Sequence, residues 1–183
     1  VTIGPVYISP VTVWQIILSH VSVLAQGDWT TGQDNIVWLI RLPRVLLAGI
    51  VGAGLAVVGA TMQAAVRNPL ADPYLLGTSS GASVGVVVVI MLGVNFFEPY
   101  SLSILAFFGA VGSFVIVFTM AQTGGHISPT RLILAGVATA YILSAVTSFL
   151  LFVGDDRAIR VVLYWLLGTL SGAEWDYLWL PAA

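Results

Sequence analysis

Residues 41–85, RLPRVLLAGIVGAGLAVVGATMQAAVRNPLADPYLLGTSSGASVG, decide how the chain is built. Arg41 and Arg44 stand at one end, separated by Leu42 and Pro43, and no charge follows until Arg67. That gap of about 22 residues, at a rise of about 1.5 Å each, matches the roughly 30 Å hydrocarbon layer of a bilayer. The polar run Arg67-Asn68-Pro69-Leu70-Ala71-Asp72-Pro73 then turns the chain, and a second apolar run opens near Leu75. Each proline removes a backbone donor and drives the preceding residue out of helical geometry. Two membrane crossings joined by a stiff connector are therefore predicted.

Within the first crossing, Ala48, Gly52, Ala56, Ala60 and Ala64 recur every fourth residue, and Gly49 and Ala53 widen the row. In lipid, apolar side chains gain little by leaving one oily medium for another, so helices associate through close backbone approach at small residues. The row is read as a helix–helix seam. The same spacing recurs at Gly77, Gly81 and Gly85, and at Gly136, Ala140, Ser144 and Ser148.

The rest of the sequence agrees with a membrane setting. Of 183 residues, 58% are hydrophobic and 8% charged, against about 25% charged in soluble domains. A formal net charge of -2 argues against a nucleic-acid partner. With no cysteine there is no disulfide framework or thiolate site. The chain starts at Val1 and stops just as a new apolar run begins, so a piece of a longer protein is expected.

Taken in order, Ser9-Pro10 suits an N-cap followed by the first helical position. Residues 11–25 are too short and too polar to span, and predict a helix lying on the membrane surface or the bundle. His20 is read as a wet residue on that helix's polar face, residues 27–35 as a polar loop, and Trp38 as an interfacial anchor. Four spans follow, at about 45–66, 75–94, 100–121 and 132–153, each judged by length against the hydrocarbon layer. Gln63 is the strongly polar residue of the first and is read as bonding a neighbouring helix, the favoured role, or as facing a water-filled path. Residues 96–100 are expected to form an interfacial turn and 124–130 a loop whose glycine pair is no phosphate cradle. The fourth span carries Thr139, Tyr141, Ser144 and Thr147, which makes it the better candidate for a conduit wall. Asp155, Asp156, Arg157 and Arg160 mark water again, residues 161–170 read as a surface or re-entrant helix, 171–177 as loop, and Leu178 onward as the start of a further span.

No Asp, Glu, Lys, Arg or His lies inside any of the four spans. Ion-coupled carriers usually place an ionisable or otherwise ion-coordinating group at depth, so the lack of the former weighs against a self-powered carrier and the helices read as a passive conduit driven by another subunit. No acid pair, metal-ligand cluster or nucleophile with its base is present, so neither an enzyme nor a cofactor is expected. Counting basic residues alone puts the side of Arg41, Arg44, Arg157 and Arg160 in the cytoplasm, opposite Arg67 and Arg131.

The runs RLPR, GATMQAAVRNPLADPYLLGTSSGAS, SPTRLILAG and VLYWLLGTLSGAEWDYL resemble the permease subunits of ABC importers for iron–siderophore, haem and cobalamin, the FecCD-type family. The resemblance implies an all-α polytopic bundle, here part of a roughly ten-span permease whose spans are membrane-length helices. It implies one transmembrane permease domain: an external segment with a short surface helix over 1–40, a four-span bundle over 41–153, and an external helix with the start of a further span over 154–183. It implies a plasma (inner) membrane location, a second permease subunit, two cytoplasmic ATPase subunits and an external substrate-binding protein.

The same resemblance reverses the orientation read from charge. It places Arg41 and Arg44 outside, where they meet carboxylates of the binding protein; arginine suits that role because it pairs bidentately with carboxylates. It assigns a cytoplasmic gate to Asn68 and Leu70 with Ser128, Pro129 and Thr130, and pathway lining to Tyr141 and Ser144. The family's main ATPase-coupling segment lies beyond the residues present. A secondary transporter or channel, and a membrane scaffold that transports nothing, are the other two classes; an ionisable residue at depth would mark the first and a lack of substrate-stimulated ATP hydrolysis the second.

Overall fold

A computed structural model describes residues 1–22, 27–93, 100–123, 126–178 and 181. The expected turn at 96–99, the Gly124-Gly125 pair and most of the run after Leu178 lie outside the described residues. The chain divides into two compact units, residues 1–56 with 169–183, and residues 57–168.

In the first unit, α1 (Pro10–Val21) starts as expected, with Pro10 at its first position and the Ser9 hydroxyl accepting from the Thr12 amide at 3.1 Å. The predicted loop over 27–35 is corrected in its second half. Thr31–Asn35 forms α2, because Thr30 and Gln33 make a reciprocal capping box; that pairing satisfies two amides that a helix start leaves bare. The chain then widens into a π-helical segment, Ile36–Arg41, in which the Leu42 amide reaches back five residues to the Val37 carbonyl. Pro43 explains the widening: its ring has no N–H and would collide with the carbonyl four residues earlier, which a π turn moves aside. The regular helix resumes as α3 (Leu42–Val66). Ile8, Val13, Ile16 and Val37 form the buried centre of this unit.

In the second unit, α3 ends at Val66 and the chain makes a 3-10 turn, Pro73–Leu76, capped by the Asp72 side chain accepting from the Tyr74 amide at 2.7 Å. Gly77 follows at φ 64. That left-handed residue separates the turn from α4 (Thr78–Leu92), so the predicted continuous span from Leu75 is corrected to two pieces. The 15 residues of α4 reach about 22 Å, short of the roughly 30 Å layer. α5 (Ser101–Ala121) and α6 (Pro129–Val153) match the third and fourth spans closely, and a two-residue antiparallel pair, Gln122–Thr123 with His126–Ile127, lies between them. Among the described residues, three helices are long and apolar enough to cross a membrane: Thr31–Val66, Ser101–Ala121 and Pro129–Val153. The amphipathic α7 (Asp156–Leu166) begins five residues before the expected surface helix, because Asp155 caps it by accepting from the Ala158 amide at 2.7 Å.

The close packing sits in α4, α5 and α6. A Cβ added at Gly81 would fall on the Gly109 carbonyl, one at Gly85 on the Leu105 carbonyl, and one at Gly136 on the Leu75 carbonyl. The buried polar group Ser113 donates from its hydroxyl to the Gly77 carbonyl at 2.9 Å. By contrast Ala48, Gly52, Ala56, Ala60 and Ala64 are all exposed, and a Cβ at Gly49 or Gly52 would meet nothing within 4 Å among the described residues. Among the described residues the row read first from the sequence is an open surface, and the seam runs through Gly81, Gly85, Gly109 and Gly136.

Candidate gate and docking elements

The connector after α3 is built on backbone chemistry. The Asn68 amide donates to the Gln63 carbonyl at 3.1 Å and the Arg67 amide to the Ala64 carbonyl at 3.3 Å. These are the two bonds of a Schellman cap, whose left-handed position ordinarily holds glycine. Here Arg67 occupies it, at φ 54. A side chain in that conformation costs about 1 kcal/mol, so strain is stored where the helix ends. The Asn68 side chain then accepts from the Leu70 amide at 2.9 Å, closing an Asx turn that leaves Leu70 pointing out, 87% exposed.

Ser128, Pro129 and Thr130 open α6, Ser128 as its N-cap residue and Pro129 at the first position. The two loops share one end of the unit. A single buried cluster contains Val66 and Ala71 on either side of Asn68–Leu70, Val117 and Ala121 from the end of α5, and Leu132 and Ala135 from the start of α6. Asn68, Leu70, Pro129 and Thr130 are exposed around it, and Ser128 is half-buried. A shallow depression of about 270 Å³, lined by Met120, Arg131, Leu134, Ala135 and Ala138, opens on α5 and α6 beside them.

Tyr141 and Ser144 are exposed, Tyr141 at 75%. The face of α6 that packs inward carries Leu132, Ala135, Gly136, Thr139 and Thr147 instead. Two of the four polar residues read as a conduit wall are therefore core positions, and two face away from the helices described. Gln63 is exposed as well, so its expected packing on a neighbour is not made within these residues.

In the first unit Arg41 is already committed. Its guanidinium donates to the carbonyls of Val1 at 2.7 Å and Thr2 at 3.3 Å, and to that of Val6. Arg44 is more open, exposed and donating to the Ser171 carbonyl at 3.2 Å. His20 and Trp38 pair with each other. The rings stack with centroids 4.1 Å apart and 9° between planes, His20 Nε2 hydrogen-bonds the Asp34 carboxylate at 3.1 Å, and Trp38 also meets Trp175 at 4.7 Å. The Trp175 indole donates to the Trp38 carbonyl at 2.9 Å. His20 is thus exposed, as expected, and also bonded into an aromatic stack. Its place nine residues after Val11, near the angular position of Val13 and Ile16 on a helix, carries that signal in the sequence.

Apolar helices of spanning length, seamed by glycine and joined by polar connectors, define a class, the polytopic helical membrane proteins. A solved structure described as an inward-facing conformation of a metal-chelate type ABC transporter superposes with a TM-score of 0.71 at 30% identity, covering 91% of this chain and 53% of that one. The chain belongs to the FecCD transport family, whose model matches residues 1–183. The vitamin B12 import system permease protein BtuC of Salmonella arizonae is 40% identical over 161 residues, which is 87% of this chain and 48% of that protein. BtuC of Klebsiella pneumoniae is 40% identical over 158 residues, 86% of this chain and 47% of that protein. The chain thus spans about half the length of the curated relatives it matches.

Proposed function

We propose that these residues belong to the permease subunit of an ATP-driven importer in the inner membrane, and that its cargo is a metal chelate handed over by an external binding protein. Cobalamin is the cargo favoured over haem or an iron–siderophore complex. The observation that carries this reading is the 40% identity, over 161 residues, to a protein named for vitamin B12 import. The uncharged spans support the energetic half: none holds a charged side chain of the kind that ion-coupled carriers place at depth, in keeping with a driving free energy supplied by separate ATPase subunits. The subunit pairs with a second permease subunit above two such ATPases, transports without catalysing a reaction itself, and holds no cofactor.

In this reading Arg44, aided by Arg41, meets carboxylates on the binding protein. Asn68 and Leu70 close against Ser128, Pro129 and Thr130 as the cytoplasmic gate, with the strained Arg67 at its root. Tyr141 and Ser144 turn from the core toward the pathway, and the open row from Ala48 to Ala64 seats a helix from the remainder of the permease. Cysteines at 70 and 130 of paired subunits are expected to cross-link in one nucleotide state; failure in every state removes the gate. The cargo is tested by offering cobalamin, haem and a ferric siderophore to the complete transporter with its own binding protein in proteoliposomes. Preferential cobalamin uptake is expected, and uptake of the ferric siderophore alone overturns the cargo.

A further inference from the structure

Pro43 deprives the start of the long helix of one amide, and a residue far along the chain supplies the missing donor. In the π-helical segment Ile36–Arg41 the amides reach back five residues, and the Leu42 amide accordingly donates to the Val37 carbonyl. The next carbonyl, that of Trp38, would be served by the amide of residue 43, which is proline and has none. A backbone carbonyl without a partner costs free energy wherever water is kept from it. The indole of Trp175 fills the gap. Its Nε1 donates to the Trp38 carbonyl at 2.9 Å, and the two indole rings meet with centroids 4.7 Å apart.

Four residues before Trp175, the Ser171 carbonyl accepts from Arg44 Nη2 at 3.2 Å. Residues 171–175 are thus tied to the long helix on both sides of Pro43, at Trp38 before it and at Arg44 after it. Arg44 is exposed, and a guanidinium carries five N–H donors in a fixed fork. The Ser171 carbonyl therefore sets the direction of the fork while most of its donors stay open to a partner.

We propose that Trp175 is a positioning residue for docking. By serving the Trp38 carbonyl it holds residues 171–175 against the helix start, and so holds Arg44 in the pose that receives a carboxylate of the binding protein. The proposal rests on the docking role given to Arg44 above. Its physical content is preorganisation: a long side chain that must first be immobilised weakens binding by about two- to tenfold. Arg41 needs no such brace, since its guanidinium is already held by the carbonyls of Val1, Thr2 and Val6.

The test uses the complete transporter in nanodiscs, passed over its own binding protein immobilised for surface plasmon resonance. Trp175→Phe keeps an aromatic ring against Trp38 and removes the N–H. It is expected to raise the dissociation rate about fivefold, the scale of one hydrogen bond. The association rate should stay within about twofold, because electrostatic steering depends on charge and no charge is changed. A purely structural role would lower the amount of intact transporter and leave the rates of the intact fraction as they were; that result overturns the proposal. Pro43→Ala supplies an independent check. It returns an amide to residue 43, so the helix serves the Trp38 carbonyl itself, and Trp175→Phe in that background should change dissociation by less than about twofold. Equal effects of Trp175→Phe in both backgrounds overturn the proposal. Arg44→Glu separates the brace from the role it serves. If Arg44→Glu leaves capture unchanged, the docking role fails and the proposal with it; if Arg44→Glu weakens capture and Trp175→Phe does not, the positioning role alone fails.

Discussion

Rows of small residues that look alike in the sequence end in opposite surroundings. Gly81, Gly85 and Gly136 face backbone so closely that a methyl group would strike a carbonyl, whereas a methyl at Gly49 or Gly52 would meet nothing within 4 Å among the described residues. Periodicity says which residues share a face. It does not say what that face meets, because that depends on a second helix with small residues at the matching height. α5 supplies one: Ser101, Leu105, Gly109, Ser113, Val117 and Ala121 form a single i+4 row, with Ser101, Ser113, Val117 and Ala121 buried. A small-residue row predicts a seam only where a complementary row exists to receive it.

The largest expected effect separates the two rows directly. Gly136→Ala in the full-length permease puts a methyl onto a backbone carbonyl, which cannot yield as a side-chain tip can. A loss of about 3 kcal/mol or failure to fold is expected in denaturant unfolding in detergent. Gly52→Ala should cost less, about 1 kcal/mol, because no backbone among the described residues meets its methyl and only the helix proposed to seat on that row would receive it. If Gly52→Ala costs as much as Gly136→Ala, the contrast between the rows is wrong.

The two arginines sharpen the same distinction between committed and open groups. Arg44→Glu is expected to weaken capture of the binding protein by about tenfold at low salt, about 1.4 kcal/mol. Arg41→Glu should in addition loosen the N-terminal segment that its guanidinium holds, seen as faster proteolysis of residues 1–8. Unchanged capture in the double variant removes the docking role.

Smaller effects test the seam's internal brace and the strain beside it. Ser113→Ala breaks the bond to the Gly77 carbonyl and should cost about 1 kcal/mol; no loss would mean that this bond does not hold the turn to α5. Arg67→Gly relieves a left-handed side chain and should stabilise by about 0.5–1 kcal/mol. If Arg67→Gly destabilises instead, the arginine side chain contributes more than its backbone strain costs.

Much of this was legible before any coordinates. The ends of α3, α5 and α6 follow from where apolar runs meet prolines and charges, so Val66, Ala121 and Val153 close their helices as expected. The Asn68–Asp72 connector was legible for the same reason, since two prolines four apart leave the backbone few options. What stayed hidden depends on distant partners or on local bonds that compete with pattern. The capping box at Thr30 and Gln33 turned an apparent loop into a helix. The Pro43 ring widened the turn before it, and Arg67 took a conformation normally left to glycine because the Schellman bonds required it. The His20–Trp38–Trp175 stack joins residues far apart in the chain; the helical position of His20 shows which side it shares with Val13 and Ile16, but not which rings it meets.

The central claim is that uncharged helices form a wall for solute while a different polypeptide supplies the energy. The most direct measurement is cobalamin uptake by the complete transporter in proteoliposomes, with ATP and an ion gradient supplied separately. Uptake that requires ATP and is indifferent to proton or sodium gradients is the predicted result; uptake driven by either gradient without ATP contradicts it.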